Sequence, residues 1–107
     1  MTGQELATAV QYEAPIVVLV VNNGMLGTIR MHQERQFGRG VATDLVNPDF
    51  VAYGKAFGAH AALVERNEDF PAAFEEALAA GRPALLELRV DPEAITPRAT
   101  LSELRDR

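Results

Sequence analysis

Two adjacent amides followed by glycines are the residues of this sequence best suited to chemistry. Asn22 and Asn23 directly follow the apolar run Ile16–Val21, and Gly24 and Gly27 come next. An amide oxygen is a hard, neutral ligand suited to Mg²⁺ or Ca²⁺, and glycine lets the backbone approach an anion closely. Because Asn and Gly also tolerate left-handed backbone conformations, an ordinary turn is the alternative interpretation. The spacing by itself leaves both interpretations open.

The residues before the paired amides predict a helix followed by a strand. Residues 2–5 (TGQE) match a capping box, in which the side chains of Thr2 and Glu5 each bond the other's backbone N–H. We therefore expect a helix at the start of the chain, which Pro15 stops. Ile16–Val21 is apolar at every position and mostly β-branched, which predicts a central strand of a parallel sheet, buried on both faces.

The chain beyond the amides continues this alternation. We expect a short helix over Met25–Glu34 and a loop over Gln36–Asp44. Asn47 as N-cap and Pro48 in the first turn predict a helix that ends at Gly58. The remaining expected elements are a strand Ala59–Glu65, a helix Asn67–Ala80 with Phe70, Phe74, Ala77 and Leu78 as its buried stripe, and a strand Ala84–Val90. The fold class is therefore α/β: a three-layer, open, mainly parallel sheet with helices on both faces, which binds ligands beyond the carboxyl ends of its strands.

Length and composition exclude several classes of protein and site. The 107 residues suffice for one domain, which we place at residues 1–90, with a polar C-terminal tail over residues 91–107. The net charge of -5, with ten basic residues scattered among fifteen acidic ones, argues against nucleic-acid binding. Cysteine is absent, which excludes disulfides and thiolate metal sites. No apolar run is long enough to span a bilayer, so we expect no membrane partner and a cytoplasmic location.

Histidines and arginines near the amides each have two interpretations. His32 faces either a substrate or solvent, and His60 is either a partly buried, hydrogen-bonded core residue or a metal ligand. No second ligand is spaced to help His60 hold a metal, which favours the core interpretation. Arg30, Arg35 and Arg39 form either an anion-binding face or a mixed surface with the acids between them, and the mixed surface is favoured. We assign no catalytic residue.

Residues 1–34 (MTGQELATAVQYEAPIVVLVVNNGMLGTIRMHQE) resemble the second half of the thiamine diphosphate motif of the acetolactate synthase and benzoylformate decarboxylase family. In that family a Gly-Asp-Gly opens the motif and a pair of asparagines closes it. The resemblance continues through residues 47–60 (NPDFVAYGKAFGAH), through the helix at 68–83 and through residues 83–98 (PALLELRVDPEAITPR). It implies that residues 1–90 are part of a C-terminal thiamine diphosphate-binding domain.

The resemblance also implies a role for each residue around the paired amides. The side-chain oxygen of Asn23 and the backbone carbonyl of Met25 would bind Mg²⁺, with Asn22 as the supporting amide. The implied cofactor-binding residues are Asn23, Gly24, Met25, Leu26 and Gly27. The implied cofactors are thiamine diphosphate and Mg²⁺, and the implied substrate is a 2-keto acid.

Two parts of the family's site are absent from this sequence. The sequence holds no Gly-Asp-Gly, whose aspartate is the first metal ligand in the family. It also lacks the pyrimidine-binding domain, which a neighbouring subunit supplies and whose glutamate activates the cofactor. We therefore interpret the chain as a fragment of an acetolactate synthase-like transferase or a 2-keto acid decarboxylase, a lyase, and expect it to be inactive alone. Acetolactate synthases tend to carry Trp near His32, which leaves the substrate specificity open.

A non-catalytic α/β module that keeps the fold and serves oligomerisation or interaction is the alternative function. A strand edge left open by the absence of an upstream strand would pair with other chains. We expect a homo-oligomer under either interpretation.

Overall fold

The computed structural model describes residues 2–107, which form two compact units. The first unit contains residues 2–21 and 48–89, and the second contains residues 22–47 and 90–107. The elements in chain order are α1 Leu6–Gln11, β1 Val17–Asn22, α2 Gly27–Phe37, α3 Phe50–Ala56, β2 His60–Val64, a 3₁₀ turn Asn67–Asp69, α4 Phe70–Ala79, β3 Ala84–Arg89 and α5 Leu101–Arg105. Within residues 2–107, no helix has the length and apolar character needed to cross a membrane.

The first unit is built on a parallel three-stranded sheet with the strand order β1-β3-β2. The register between β2 and β3 places His60 beside Ala84 and Val64 beside Leu88. The N–H of Ala84 donates to the carbonyl of Ile16 at 2.9 Å, which joins β3 to the start of β1. The predicted α/β class, with an open parallel sheet, is confirmed.

Helices cover both faces of this sheet. Alternate residues of β3 point to opposite faces, so neighbouring leucines of this strand pack against different helices. Leu85 packs on one side with α1, α3 and β2, in a cluster formed by Leu6, Ala59, Ala61 and Leu85 with Val10, Val20, Phe50, Val51 and Phe57 around it. Leu86 packs on the other side with α4, in a cluster that contains Ala77, Ala84, Phe70 and Phe74. The predicted three layers are therefore present in this unit.

The position predicted for β1 is wrong. It is an edge strand of the sheet formed by the described residues, and β3 is central. Leu19 and Val21 are 45% and 65% exposed, so this side of β1 is not buried. The reason is that α4 is the helix on this side and it packs on β2 and β3. An apolar run therefore does not establish that both of its faces are covered.

The predicted starts of two helices are also wrong. α1 begins at Leu6 without a side-chain cap, and the Thr2 hydroxyl donates to the Glu5 carboxylate at 2.9 Å rather than forming the predicted capping box. α3 is capped by Asp49, whose carboxylate accepts from the N–H of Ala52 at 3.0 Å, and not by Asn47.

The predicted ends of α3 and α4 are correct, because glycine adopts the left-handed conformation that ends a helix, whereas α1 ends at Gln11, before the predicted stop at Pro15. Gly58 follows α3 with φ +86° and Gly81 follows α4 with φ +67°. The predicted buried stripe of α4 is correct at Phe70, Phe74 and Ala77, which belong to the second cluster. Leu78 is 59% exposed, so its predicted burial is wrong.

The second unit joins α2 to the C-terminal helix α5. α2 runs over Gly27–Phe37, so it begins two residues after the predicted start and extends into the predicted loop.

The helix α5 lies in the predicted polar tail, where the sequence analysis predicts no helix. It begins with a capping box, in which the Thr100 hydroxyl accepts from the N–H of Glu103 and the Glu103 carboxylate accepts from the N–H of Thr100. Its apolar residues are the buried Leu101 and Leu104.

A buried carboxylate connects these two helices. Glu34 on α2 is 1% exposed, and Arg105 on α5 donates to both of its oxygens, at 2.8 and 3.1 Å. Arg30, one turn earlier on α2, donates to the same carboxylate at 2.8 Å. The hydrogen bonds from Arg105 lower the pKa of Glu34 against the opposing effect of burial. Two guanidinium groups therefore hold the Glu34 carboxylate in its charged form.

Truncation of Leu86 to alanine should destabilise the first unit, because this side chain is fully buried on the central strand. A Leu-to-Ala change in a core typically lowers the free energy of unfolding by about 2–5 kcal/mol. The matched variant Leu78→Ala removes the same atoms from an exposed site and should change the stability by less than about 0.5 kcal/mol. Urea unfolding followed by circular dichroism measures both. Equal losses in the two variants would contradict the packing described for β3.

Glu34→Gln should weaken the stability of the protein in a pH-dependent manner. Because the pKa of Glu34 is lowered on folding, its charge stabilises the folded state above the unfolded value of 4.5, and this stabilisation is lost as the pH falls through the lower folded pKa. Glu34→Gln should therefore have a lower urea midpoint at neutral pH and lose less of it on acidification below 4.5 than the unmodified chain.

Glu75→Gln, on the exposed face of α4, is the control for the loss of one negative charge. It should keep the pH dependence of the unmodified chain. If both glutamine variants gave the same pH profile, the Glu34 carboxylate would not be the stabilising group.

Candidate functional site

The residues after the paired amides form a short antiparallel ribbon with the loop that follows α2. The N–H of Leu26 donates to the carbonyl of Thr43 at 2.8 Å, and the N–H of Leu45 donates to the carbonyl of Gly24 at 2.9 Å. Met25 lies opposite Asp44 between these two bonds. The ribbon holds residues 24–26 beside this loop, just before the first residue of α2.

The ribbon leaves the backbone polar groups of Met25 free for other partners. In an antiparallel pair, the residue between two hydrogen-bonded positions turns its own N–H and C=O away from the partner strand. The N–H of Met25 donates to Oδ1 of Asn23 at 3.2 Å. Among residues 2–107, no hydrogen bond to the Met25 carbonyl is found. The Met25 carbonyl and Oδ1 of Asn23 therefore lie on the same edge of the ribbon.

The two asparagine side chains differ in their remaining capacity to accept. A carbonyl oxygen has two lone pairs. Oδ1 of Asn22 accepts from the N–H of Gly24 and from Nδ2 of Asn47, both at 2.9 Å, so both of its lone pairs are used. Oδ1 of Asn23 accepts one bond, from Met25, and keeps one lone pair. Of the two amide oxygens, Asn23 is therefore the one that can bind a cation without losing a hydrogen bond.

The two glycines serve different geometric needs. Gly24 has φ +70°, a conformation that favours glycine, and a Cβ placed there would have no atom within 4 Å. A Cβ on Gly27 would lie 2.6 Å from Nδ2 of Asn23 and 3.2 Å from Cδ1 of Ile95. Gly24 thus leaves open space beside the ribbon, and Gly27 makes room for the Asn23 side chain.

The start of α2 adds backbone donors beside these groups. Leu26 precedes the helix and its side chain makes no capping hydrogen bond. The first N–H groups of an α-helix have no partner within the helix and carry partial positive charge. α2 has eleven residues and begins at Gly27, one residue after the ribbon. This arrangement places unpaired oxygens, which can accept a cation, and N–H groups, which can donate to an anion, along one short stretch of chain.

Side chains of α2 hold the loop side of the ribbon in place. Nη1 of Arg30 lies 3.3 Å from the hydroxyl of the buried Thr43 and 3.4 Å from the carboxylate of Asp44. The amide of Gln33 bonds both backbone groups of Val41 at 3.0 Å. A Cβ on Gly40 would overlap the Arg30 guanidinium. The ribbon is therefore fixed to the same helix that begins at its end.

Other residues considered from the sequence contribute no group to this stretch. His32 and Arg35 are exposed on α2, and Arg39 is exposed in the loop that follows it. Arg30 is paired with acids, in agreement with the predicted mixed surface. His60 belongs to the first unit and is partly buried as predicted, but its Nε2 has no hydrogen-bond partner, so the predicted hydrogen bonding is wrong for that atom.

Acidic or histidine clusters do not provide an alternative metal site. Within residues 2–107, no group of three or more His, Asp or Glu side chains is placed to hold a metal ion. A cation at the ribbon would therefore be bound by amide and carbonyl oxygens rather than by a cluster of acidic or histidine side chains. Mg²⁺ commonly keeps few protein ligands and binds phosphate oxygens in addition.

Sequence reasoning missed the residues that orient the paired amides. Asn47 was assigned as a helix cap, whereas its side chain binds Asn22. Thr43 lies in the predicted loop, and the sequence does not indicate that its carbonyl accepts from the N–H of Leu26. The sequence signal was weak, because residues 36–47 show no alternation of apolar and polar residues that would indicate a strand.

Comparison with known proteins shows which family this chain resembles in sequence. The family described as "Thiamine pyrophosphate enzyme, C-terminal TPP binding domain" matches residues 1–88. The mitochondrial acetolactate synthase of Schizosaccharomyces pombe is 35% identical over 91 residues, which cover 84% of this chain and 14% of that protein. An acetolactate synthase of Bacillus subtilis is 31% identical over 90 residues, which cover 84% of this chain and 16% of that protein.

The large subunit of acetolactate synthase isozyme 2 of Escherichia coli aligns with the whole chain. It is 28% identical over 116 residues, and the match covers 21% of its own length. The chain thus spans about a fifth or less of the three relatives described here. The family match covers more than half of this chain and includes the ribbon and both asparagines. The chain therefore belongs to the family of C-terminal thiamine pyrophosphate-binding domains of thiamine pyrophosphate enzymes.

Proposed function

We propose that this chain supplies Asn23 and Met25 to a magnesium ion that holds the diphosphate of thiamine diphosphate. The observation that carries the proposal is that the Asn23 side-chain oxygen and the Met25 carbonyl lie on one edge of the ribbon, each with a lone pair that no group of residues 2–107 occupies. Both are hard oxygen ligands of the kind that Mg²⁺ prefers. Family membership supports thiamine diphosphate as the cofactor.

The glycine-rich stretch is suited to the diphosphate itself. The open space beside Gly24 would admit an anion close to the backbone, and the start of α2 at Gly27 offers unpartnered N–H groups. Leu26 lies between them on the ribbon. The net charge of the chain is -5, so a bound cation would offset the repulsion between the protein and a diphosphate. The proposed cofactor-binding residues are Asn23, Gly24, Met25, Leu26 and Gly27.

The proposed parent activity is that of an acetolactate synthase-like enzyme acting on 2-keto acids. Three of the relatives are named as acetolactate synthases, which supports this substrate class. When bound, thiamine diphosphate supplies the electron sink for cleavage of such an acid. The residues of this chain would bind and orient the diphosphate end of the cofactor, and residues 23–27 carry no titratable side chain.

A complete site would require groups that this sequence does not contain. The third protein ligand of the metal would be the aspartate of a Gly-Asp-Gly motif. The glutamate that activates the aminopyrimidine would come from the pyrimidine-binding domain of a neighbouring subunit. We therefore propose that the chain functions within a homo-oligomer and is inactive by itself.

An oligomerisation or interaction module is the second candidate function. The observation that favours it is the edge position of β1, with Leu19 and Val21 exposed on one side. An edge strand presents unpaired N–H and C=O groups that can bond a further strand. Such a module would retain the fold without binding thiamine diphosphate, so cofactor binding separates the two functions.

Asn23→Ala should weaken binding of thiamine diphosphate in excess Mg²⁺. The experiment uses an extended polypeptide, in which a segment containing Gly-Asp-Gly is added ahead of this chain. Its calorimetric titration with thiamine diphosphate is compared with that of the chain alone. We expect tighter binding by the extended polypeptide and a loss of about 10- to 100-fold in affinity on Asn23→Ala, as for the removal of a contact with a charged group.

The control for this substitution is Asn67→Ala, at the exposed 3₁₀ turn of the first unit. It should leave the affinity of the extended polypeptide unchanged. Unchanged binding in the Asn23 variant would refute the proposed metal ligand. Absence of binding in every form would favour the interaction module.

Gly27→Ala should disturb the site more than the fold. The added Cβ would force Nδ2 of Asn23 away from its position, while alanine suits the first turn of a helix. We expect a stability change within about 1 kcal/mol and a shifted side-chain amide signal of Asn23 in NMR spectra. Gly24→Ala is the contrasting variant: it should cost about 1–2 kcal/mol through its left-handed backbone and displace no side chain. The reverse pattern would contradict the roles assigned to the two glycines.

A further inference from the structure

Asn47 extends the register of the ribbon by one further pair. Leu26 is bonded to Thr43 and Gly24 to Leu45, so the next pair in the same register is Asn22 with Asn47. This pair is joined by side chains, with Nδ2 of Asn47 donating to Oδ1 of Asn22 at 2.9 Å. The same spacing of two residues on each side relates all three pairs. Asn47 therefore closes the end of the ribbon next to the paired amides.

The Asn22 side chain also takes the place of a backbone acceptor for the N–H of Gly24. In a continued antiparallel ladder, the N–H of Gly24 would donate to the carbonyl of Leu45. Instead it donates to Oδ1 of Asn22 at 2.9 Å, and Gly24 has φ +70°. One oxygen thus receives a donor from its own turn and a donor from the opposite side of the ribbon. Asn47 occupies the lone pair that the turn leaves free.

We propose that Asn47 is a positioning residue of the candidate metal site. By filling the second lone pair of Asn22, it prevents this oxygen from acting as a cation ligand and leaves Asn23 as the ligand of the amide pair. The inference rests on the proposed function and adds to it a residue that acts through Asn22. It also fixes what the Asn22 side chain can offer a bound cofactor, because only its N–H donors remain available.

Without the Asn47 donor, two neighbouring amide oxygens would each have a free lone pair. A cation could then bind the side-chain oxygen of Asn22, that of Asn23 or both. The Asn22 side chain would also be held by one hydrogen bond, from the N–H of Gly24, instead of two. Binding of a diphosphate depends on the position of the cation, so the affinity for the complete cofactor should fall. Asn47 is partly buried and belongs to neither of the two hydrophobic clusters described above, so the expected effect is not one of core packing.

The first part of the test uses the 107-residue chain without any ligand. Asn47→Leu keeps the approximate size of the side chain and removes its donor. We expect the side-chain amide signals of Asn22 to shift and the hydrogen exchange of the Gly24 N–H to accelerate, while the N–H of Leu26 stays protected. Asn67→Leu, at an exposed site of the first unit, should change none of these. Unchanged Asn22 and Gly24 signals in Asn47→Leu would overturn the inference and leave the proposed function standing.

The second part is a double-mutant cycle on the affinity of the extended polypeptide for thiamine diphosphate in excess Mg²⁺. Loss of one neutral hydrogen bond predicts that Asn47→Leu lowers this affinity by about 2- to 10-fold. If Asn47 acts through Asn22, the same substitution should have no further effect in a chain that already carries Asn22→Ala. Asn47→Gln, which keeps an N–H donor, should recover part of the affinity.

If Asn47→Leu lowered the affinity equally in the unmodified polypeptide and in the Asn22→Ala variant, Asn47 would act on the ribbon as a whole. This result would overturn the inference. If the unmodified extended polypeptide bound no thiamine diphosphate, the proposed function would fail and the role of Asn47 at a metal would fail with it. Altered Gly24 exchange in the ligand-free chain, together with non-additive affinities, supports the proposal.

Discussion

The arrangement of the candidate site depends on one oxygen atom, Oδ1 of Asn22. It accepts a hydrogen bond from its own turn and another from the loop beyond α2, and thereby joins the two sides of the ribbon. The ribbon in turn directs the Met25 N–H toward Asn23 and leaves the Met25 carbonyl unpaired. An asparagine at the end of an apolar strand is thus explained by its partners, because a buried or half-buried amide is stable only when it is hydrogen-bonded.

A second constraint acts on the helix that begins at the end of the ribbon. Glu34 is almost fully buried, and a carboxylate in that position requires compensating charge and hydrogen bonds. Arg105 of α5 and Arg30 of α2 supply both. Arg30 also reaches Thr43 and Asp44, so one guanidinium connects the buried carboxylate to the loop side of the ribbon. The C-terminal helix and the candidate site are therefore parts of the same compact unit.

The first unit shows how few residues suffice for a parallel sheet with covered faces. Small residues allow the close approach of its layers: a Cβ on Gly54 of α3 would lie 3.1 Å from Cβ of Ala61 and 3.2 Å from Cβ of Leu85. The central strand is the best buried, because both of its neighbours and helices on both faces exclude water from it. β1 lacks such cover on one side, where its residues Leu19 and Val21 are exposed.

Local sequence patterns determined the elements, and long-range contacts decided how they combine. The apolar runs at β2 and β3 and the glycines after α3 and α4 predicted strands and helix ends correctly, because periodicity and backbone preference act over a few neighbouring residues. The paired asparagines with their glycines identified the candidate site and, through resemblance, the family. Strand order escaped prediction, since an apolar run does not reveal which of its faces has a neighbour.

The partners of Asn22 and Glu34 were likewise decided only by the tertiary structure. Asn47 lies 25 residues from Asn22, and Arg105 lies 71 residues from Glu34. Local preference assigned Asn47 to a helix cap and residues 91–107 to a polar tail, because neither pattern carries information about distant groups. A side chain that can cap a helix can equally bind another amide, and the choice depends on which donor or acceptor the folded chain brings within reach.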